Sequence, residues 1–211
     1  MTHTMEQPLI PAPTPEQLNF YHKWWNDLSP QWKKAYNEVC LRRSDEAEIP
    51  VEVIHSVHHA PALRFAGPTA PFPNMSFELS DFSGLLSLKK LQILVVIFHR
   101  VADLLMVAEL PQLQSLFLNN NRIRSLEGLE GLTNLNELYI NVNEITSLKP
   151  LKPLTRLHTL YCNYNRIASL EGIEKAHAKH LVNFFCQPNE GLTDATCIKF
   201  EHKVGIRCRK G

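Results

Sequence analysis

Residues 110–131 read LPQLQSLFLNNNRIRSLEGLEG, residues 132–153 read LTNLNELYINVNEITSLKPLKP, and residues 154–175 read LTRLHTLYCNYNRIASLEGIEK. The three stretches agree at eight relative positions, of which seven hold an apolar residue or cysteine and one holds asparagine. Chance does not produce such agreement over three successive copies, so the chain contains a structural repeat of 22 residues. A fixed period of this length predicts stacked coils that share one continuous core.

The repeat extends towards the N-terminus. One period earlier, Leu88 begins a copy in which the asparagine position is occupied by His99. Residues 79–85 fit the tail of a still earlier repeat, whose strand we predict at residues 63–65. The Pro-rich stretch 67–73 would then be inserted into the turn of that first coil.

The repeat also extends towards the C-terminus, but with a change of period. The alignment needs a shift of 24 residues, which puts two extra residues within 174–180 and Asn189 in the asparagine position. This gives five or six coils, and about three are enough for a stable stack. Because each coil contacts only its neighbours, both ends of the stack need a covering element.

The repeat resembles the leucine-rich repeats, in the 22-residue subclass typified by the protein phosphatase 1 regulatory subunit and by bacterial internalins. The resemblance covers about residues 79–190. It implies a right-handed horseshoe with a parallel β-sheet on the concave face and irregular or 3₁₀ segments on the convex side. It also implies that the concave face grips another protein. We therefore expect an α/β leucine-rich-repeat solenoid.

The N-terminal part of the chain departs from the repeat. Residues 1–13 are Pro-rich and polar, and we expect them to be disordered. Residues 14–48 contain two helix-start signals, in which Thr14 and Ser29 each precede a proline. The apolar spacing that follows predicts a pair of helices that caps the core, with a separate docking module as the alternative.

Two further segments alternate apolar and polar side chains. Residues 49–78 begin with such a stretch, from Ile49 to Val57, which predicts an edge strand ahead of the Pro-rich insertion. Residues 191–211 contain another, from Thr196 to Cys208, and we expect this region to form the C-terminal cap. A two-residue period is typical of a half-buried strand.

Asparagines recur where each coil leaves its strand. An amide carries both donors and an acceptor. It can therefore bond backbone groups in the turns of its own coil and of the neighbouring coil, which cannot pair with one another. We predict a structural ladder of Asn121, Asn143, Asn165 and Asn189.

The outward-facing strand positions hold the candidate binding residues, because the leucines on either side of them point into the core. The first column across the sheet is Val95, Phe117, Tyr139, Tyr161 and Phe185. The second column, two residues further on, is Ile97, Asn119, Asn141, Asn163 and Gln187. A third column, two residues before the first, includes Glu137.

Two interpretations of the aromatic column compete. The rings can stack between strands and stabilise the sheet by about 0.2–1 kcal/mol per pair. They can also form an interaction surface, since a contiguous apolar row with a polar rim is typical of protein interfaces. We expect a protein-interaction module that binds a protein or peptide on the concave face. The alternative is a regulatory subunit or secreted effector that docks through its N-terminal helices and uses the repeats as a scaffold.

Composition narrows the classes of function. The net charge of +1 and the lack of a basic face argue against nucleic-acid binding, and no apolar run reaches the length of a membrane span. The sequence shows no catalytic motif, so we expect no enzyme and no cofactor, with an active site in residues 67–74 as the least favoured alternative. The protein is expected to be a monomer.

The cysteines and histidines give no metal motif at the level of sequence. His55, His58 and His59 have metal-like spacing, as do His177 and His180, but neither group has a cysteine or carboxylate at a fitting offset. Cys162 and Cys186 occupy equivalent core positions and are interpreted as buried reduced thiols. For Cys197 and Cys208, a disulfide bond is an alternative to free thiols. Reduced cysteines favour a cytoplasmic protein, with a secreted effector as the alternative.

Overall fold

Seven strands form one open parallel sheet in the order in which they occur along the chain. The computed structural model describes residues 10–211, so residues 1–9 of the predicted disordered tail lie outside the described part. The strands are β1 (Ala62–Ala66), β2 (Ile93–Ile97), β3 (Ser115–Phe117), β4 (Glu137–Tyr139), β5 (Thr159–Tyr161), β6 (Asn183–Gln187) and β7 (Arg209–Lys210). The sheet is the framework on which the outward-facing columns lie.

The strand register follows the sequence period. Leu116 pairs with Leu138, and Leu138 pairs with Leu160, which is the predicted shift of 22 residues. Leu160 then pairs with Phe184, which is the predicted shift of 24. The extra residues are taken up by a 3₁₀ helix at Lys175–Lys179 on the return side of that coil. The predicted register and the expected α/β leucine-rich-repeat solenoid are confirmed.

The leucine and isoleucine positions of the repeat form one continuous core. In the coil that begins at Leu110, the side chains of Leu116, Leu118 and Ile123 are fully buried, and the equivalent residues of the next coil are buried in the same way. The return segments include short 3₁₀ helices at Ser83–Leu85, Leu105–Glu109 and Lys149–Leu151. Burial of a leucine-sized side chain stabilises the fold by about 1.5–3 kcal/mol. Because the neighbouring coils cover these side chains, each coil depends on its neighbours for stability.

Two helices cover the N-terminal end of the core, as predicted. They are α1 (Pro15–Asp27) and α2 (Pro30–Tyr36), and the latter continues as a π-helical turn over Asn37–Leu41. The capping box at the start of α1 is formed, because the Thr14 N–H donates to the Gln17 side chain at 2.8 Å and Thr14 Oγ1 accepts the Gln17 N–H at 3.3 Å. The sequence signal for this helix start is therefore correct.

The predicted edge strand at Ile49–Val57 is wrong, because Val51–His59 forms helix α3. Its buried residues are Ile54, His55, Val57 and His58, a set that repeats at helical spacing and packs against α1. The Tyr21 hydroxyl and the His55 Nδ1 atom are 2.8 Å apart and join the two helices. The alternation in the sequence is real, but this tertiary contact selects the helix.

The C-terminal region was expected to alternate as a strand, yet most of it is helix α4 (Asp194–Val204). Its buried side chains are Cys197, Phe200 and Val204, spaced three and four residues apart, while Ile198 is 55% exposed. The Phe200 ring lies against Phe184 of β6, with centroids 5.9 Å apart. The helix therefore covers the last coil, and β7 extends the sheet beside β6.

In each coil from β2 to β5, one residue just after the strand adopts a left-handed backbone conformation. These residues are Phe98, Asn120, Val142 and Tyr164, with φ between 55° and 59°. Asparagine tolerates this conformation, whereas a β-branched valine does so at a cost. None of the helices in residues 10–211 is both long enough and apolar enough to cross a membrane.

Candidate functional site

Four aromatic rings stack in one row across the outward face of the sheet. Phe117 and Tyr139 have ring centroids 4.6 Å apart, Tyr139 and Tyr161 4.7 Å, and Tyr161 and Phe185 4.2 Å. The interplanar angles lie between 11° and 17°. In-register pairing of β3 to β6 produces this row, because each aromatic residue is paired directly with the aromatic residue of the next strand. We call these four side chains the aromatic row.

The aromatic row is neither fully buried nor fully exposed. All four rings are half-buried: Tyr139 and Tyr161 each stack against two neighbouring rings, the two outer rings each stack against one, and every ring keeps part of its surface open. Burial raises the pKa of the Tyr139 hydroxyl above its usual value, and the charges of Glu137 and Tyr161 act in the same direction. The hydroxyl of Tyr139 therefore remains a neutral hydrogen-bonding group at physiological pH.

Polar groups border the aromatic row on one side. Glu137 is half-buried and its carboxylate accepts a hydrogen bond from the Ser115 hydroxyl at 2.8 Å. On the following strand, Thr159 is buried and its hydroxyl oxygen accepts the Asn183 side-chain amide at 3.3 Å. These cross-strand bonds hold the side chains in place, so the border is ordered without a partner.

The amide column on the other side is only partly open. Asn119 and Asn141 are half-buried and reach the surface, whereas Asn163 is 3% exposed and Gln187 is 8% exposed. Gln187 also donates to the Asp194 carboxylate at 2.8 Å. The set of surface amides therefore narrows to Asn119 and Asn141, and Asn163 does not offer its side chain to an incoming molecule.

The chain's own C-terminal segment accounts for this closure. The Gly211 N–H donates to the Gln187 carbonyl at 3.0 Å, which continues the pairing of β7 with β6. A Cβ atom placed at Gly211 would lie 3.3 Å from the Asn163 amide nitrogen and 3.2 Å from the Phe185 ring. The guanidinium of Arg209 lies over that ring, 5.7 Å from its centroid. The C-terminal end of the aromatic row is thus partly covered.

The opposite end of the aromatic row is apolar. Val95 continues the column on β2, and it is flanked by Ile93, which is 41% exposed, and by the half-buried Ile97. Phe98 follows in the left-handed conformation. The row therefore runs from an open aliphatic corner at β2, where Arg64 of β1 pairs with Val95, to a partly covered end at β6.

The asparagine ladder lies beneath this surface and holds the coils in register. Each amide nitrogen donates to a carbonyl of its own coil and to one of the preceding coil, and each carbonyl accepts a backbone N–H. For Asn165 the partners include the Ile140 and Cys162 carbonyls, at 2.9 and 3.1 Å. The participating residues are Asn121, Asn143, Asn165 and Asn189. Their role in the described structure is to satisfy backbone groups.

His99 takes the asparagine position in the coil of β2. Its Nδ1 atom accepts the Leu79 N–H at 3.0 Å, while its Nε2 atom is buried without a hydrogen-bond partner. Burial lowers the pKa of His99 to about 4. The Phe65 carbonyl acts in the opposite direction, although it does not form a hydrogen bond with Nε2. The imidazole is therefore neutral at physiological pH. It accepts one backbone N–H, as the ladder asparagines do, but it does not make their hydrogen bonds to backbone carbonyls.

The histidines with metal-like spacing are occupied by protein contacts. His55 contacts the Tyr21 hydroxyl and the Pro11 carbonyl through its two ring nitrogens, at 2.8 Å each. His58 contacts the Ile54 carbonyl and Ser87, and His177 contacts the Glu174 N–H and the Leu151 carbonyl. These rings bond to the chain itself and do not converge on a common point.

Three cysteines do converge, and the sequence motifs did not reveal them. Cys186, Cys197 and Cys208 place their sulfur atoms within 4.8 Å of one another. All five cysteines are free thiols, as expected for Cys162 and Cys186, and the disulfide left open for Cys197 and Cys208 is not formed. The equal spacing of eleven residues between the three cysteines was the available signal.

Comparison with known proteins identifies the repeat. A family model described as Leucine Rich repeats (2 copies) matches residues 111–153 and 133–175. No curated protein sequence matches the chain. The residues matched by the family model are those of the central coils, which also define the 22-residue period.

Solved structures share the architecture. An internalin, InlF, from Listeria monocytogenes is 24% identical, with a TM-score of 0.55 over 64% of this chain and 41% of that chain. The functional domain of InlJ from the same organism, described as including a cysteine ladder, is 16% identical, with a TM-score of 0.58 over 82% of this chain and 34% of that chain. This chain thus spans about two fifths of the InlF chain and about a third of the InlJ chain. At this identity the likeness concerns the fold: residues 111–175 match the leucine-rich-repeat model, and the solenoid resembles those of the bacterial internalins.

Proposed function

We propose that the outward face of the sheet, which the family resemblance predicts to be concave, binds a protein or peptide without catalysing a reaction. The observation that carries the proposal is the aromatic row, in which four half-buried rings form one continuous apolar strip. Cross-strand packing of the rings contributes only about 0.2–1 kcal/mol per pair. This small contribution does not by itself require four large aromatic residues in a row.

The surroundings of the aromatic row fit an extended polypeptide. Tyrosine and phenylalanine are enriched at the centres of protein interfaces, where polar groups form the rim. Here the rim consists of the amides of Asn119 and Asn141 on one side and the carboxylate of Glu137 on the other. Amides can both donate to and accept from the backbone of a bound segment. The open aliphatic corner at Ile93 and Val95 would take an apolar side chain of the partner.

The row is also rigid before binding. The strands are held by in-register pairing, and the asparagine ladder fixes the turns that follow them. A preformed surface loses little conformational entropy when it binds, so more of the contact energy appears as affinity. We infer recognition by a preformed face, with little rearrangement of the repeats.

The competing function is docking through the N-terminal helices. Trp24 and Trp25 of helix α1 are 9% and 2% exposed and belong to the core of the cap. The exposed aromatic residue of this region is Phe20, which is 47% exposed. A docking role for the cap would therefore depend on Phe20 and its neighbours.

Partner capture by four forms of the protein separates the two functions. We expect the double variant Tyr139→Ser, Tyr161→Ser to lose the partner captured by the wild type while keeping a cooperative melt. Phe20→Ser and Phe72→Ser should retain it, the second serving as a matched control because Phe72 is 80% exposed in the Pro-rich insertion. Loss of capture by Phe20→Ser alone would transfer the function to the N-terminal helices.

A further inference from the structure

A cluster of three thiols lies inside the C-terminal end of the molecule. Cys186 belongs to β6, Cys197 lies on the buried face of α4, and Cys208 directly precedes β7. Their sulfur atoms lie within 4.8 Å of one another. Each thiol comes from a different structural element, so the cluster exists only when the last coil, the helix and the final strand are assembled.

We propose that Cys186, Cys197 and Cys208 bind one Zn²⁺ ion, which fastens α4 and β7 to the last coil. Zinc is held by cysteine sulfur at about 2.3 Å. Three sulfur atoms at that distance from one ion stand about 3.8–4.0 Å apart, so the observed cluster needs to contract by at most about 1 Å. Cys208 is the most exposed of the three, which leaves an entry path and a position for a water ligand on its side.

The contacts around the cluster are those of a preorganised site. The Cys208 N–H donates to the Glu201 carboxylate at 2.7 Å, which positions the residue that joins α4 to β7. The Cys208 sulfur lies within 4.8 Å of the sulfur atoms of both Cys186 and Cys197. Cys162, one coil earlier, is buried in the position equivalent to Cys186 and lies outside the group. Three ligands with a supported backbone therefore face a common point.

The charges nearby favour a cation over free thiolates. The Glu201 carboxylate lies next to the cluster, since it accepts the Cys208 N–H at 2.7 Å. Binding would break three S–H bonds, form three Zn–S bonds and release three protons to the solvent. A divalent ion supplies the positive charge that makes this exchange favourable.

A disulfide is the competing use of these residues, and the geometry favours the metal. A disulfide would join two of the sulfur atoms and leave the third unpaired. Because all three sulfur atoms lie within 4.8 Å of one another, the arrangement does not select one pair. Three convergent sulfurs instead supply the three protein ligands that a zinc site with an open position needs, with the fourth position left to water.

Cobalt and zinc titrations of the reduced, tag-free full chain test the proposal. After removal of metals with a chelator, Co²⁺ should bind with one ion per chain and show sulfur-to-cobalt charge-transfer absorption, and Zn²⁺ should displace it. Zinc should also raise the melting temperature. Cys208→Ser should weaken binding more than about 100-fold, which is the upper end of the effect of changing outer-sphere partners alone. Cys40→Ser, which changes a cysteine in the N-terminal cap, should leave binding unchanged.

The spectroscopic signature keeps the test independent of folding defects and of surface histidines. The absence of a charge-transfer band from the reduced wild-type protein after addition of Co²⁺ would overturn the proposal. So would a band of equal strength in Cys208→Ser. Air-oxidised wild-type protein that has lost two of these thiols to a disulfide, together with no cobalt binding in the reduced form, would assign the cluster to disulfide formation instead.

Discussion

The side-chain oxygen of Asn143 accepts the backbone N–H of Ile123, which belongs to the preceding coil, at 3.0 Å. The amide nitrogen of Asn143 donates to the Leu118 carbonyl at 3.0 Å and to the Ile140 carbonyl at 3.2 Å. Asn143→Ala leaves these backbone groups without partners, so we expect a loss of about 1–3 kcal/mol in the free energy of unfolding. Urea denaturation followed by circular dichroism measures the change.

Asn141→Ala is the matched control for that prediction. Asn141 lies two residues earlier on the outward face, and its side chain makes no hydrogen bond within residues 10–211. Its replacement should change the free energy of unfolding by less than about 0.5 kcal/mol, which is typical of a surface position. Equal losses in both variants would contradict the ladder as the reason for the effect.

Val142 should be a site where the chain can be stabilised. Its φ of 56° is unfavourable for a β-branched side chain, and Asn120 holds the equivalent position with a φ of 59°. Val142 is 40% exposed, so a polar replacement sacrifices little burial. We expect Val142→Asn to raise the free energy of unfolding by about 1 kcal/mol, since the left-handed conformation costs ordinary residues about 1–2 kcal/mol.

The reciprocal variant checks the cause of that gain. Asn120→Val should lower the free energy of unfolding by about 1 kcal/mol, because it introduces the same strain one coil earlier. Chemical denaturation of both variants at one pH gives the comparison. If Val142→Asn is destabilising, backbone strain at this position is not the dominant effect.

His99 should make the protein sensitive to acid. Its pKa is lowered to about 4 in the folded protein, mainly by burial, against about 6.5 in an unfolded chain. Between these values the unfolded state binds more protons, so the contribution is fully present above about pH 6.5 and is lost as the pH falls towards 4. The loss is at most about 3 kcal/mol, at 1.36 kcal/mol per pKa unit.

His99→Asn isolates that contribution from the titration of the carboxylates. The amide can accept the Leu79 N–H and donate to the Phe65 carbonyl, without a group that titrates near neutral pH. Urea denaturation at pH 7.5 and pH 4.5 should show a smaller pH-dependent loss in the variant than in the wild type. Identical losses would remove His99 from the explanation.

The N-terminal cap should depend on the absence of a side chain at Gly84. A Cβ atom at Gly84 would lie 2.2 Å from the ring of Trp32, which is fully buried and whose Nε1–H donates to Asp81 at 3.0 Å. Gly84→Ala forces this ring to move, and we expect a loss of about 1–3 kcal/mol, as for overpacked cores. Thermal unfolding with tryptophan fluorescence reports directly on the cap.

Gly131→Ala provides the comparison, because no atom lies within 4 Å of a Cβ atom placed there. This variant should be neutral or stabilised by up to about 1 kcal/mol, since alanine reduces the entropy of the unfolded chain. A Gly84→Ala protein as stable as the Gly131→Ala protein would show that Trp32 can adjust without cost.

The regular part of the fold was predictable because its signal is repeated. Each coil places its leucines and its asparagine at the same offsets, so the register of β2 to β6 and the shift of 24 residues follow from counting. The outward column at Phe117, Tyr139 and Tyr161 follows from the same count. Stacking of the rings is then a consequence of in-register pairing.

The ends of the chain were less predictable because no repeat constrains them. Alternation at Ile49–Val57 and after Thr196 indicated strands, but contacts with Tyr21 and Phe184 select helices. Closure of Asn163 depends on the path of the final residues, which the repeat does not determine. The cysteine cluster also depends on how the C-terminal elements pack, because its three residues come from β6, α4 and the residue before β7. No short sequence motif therefore indicates it.

Site-specific photo-cross-linking from the aromatic row tests the proposed binding face most directly. A photoreactive phenylalanine analogue would replace Tyr139 in one protein, Phe20 in a second and Phe72 in a third, each expressed in the native cells. The account predicts that position 139 captures a protein partner, identified by mass spectrometry, while positions 20 and 72 do not capture it. Capture from position 20 with none from position 139 would contradict the account and assign recognition to the N-terminal helices.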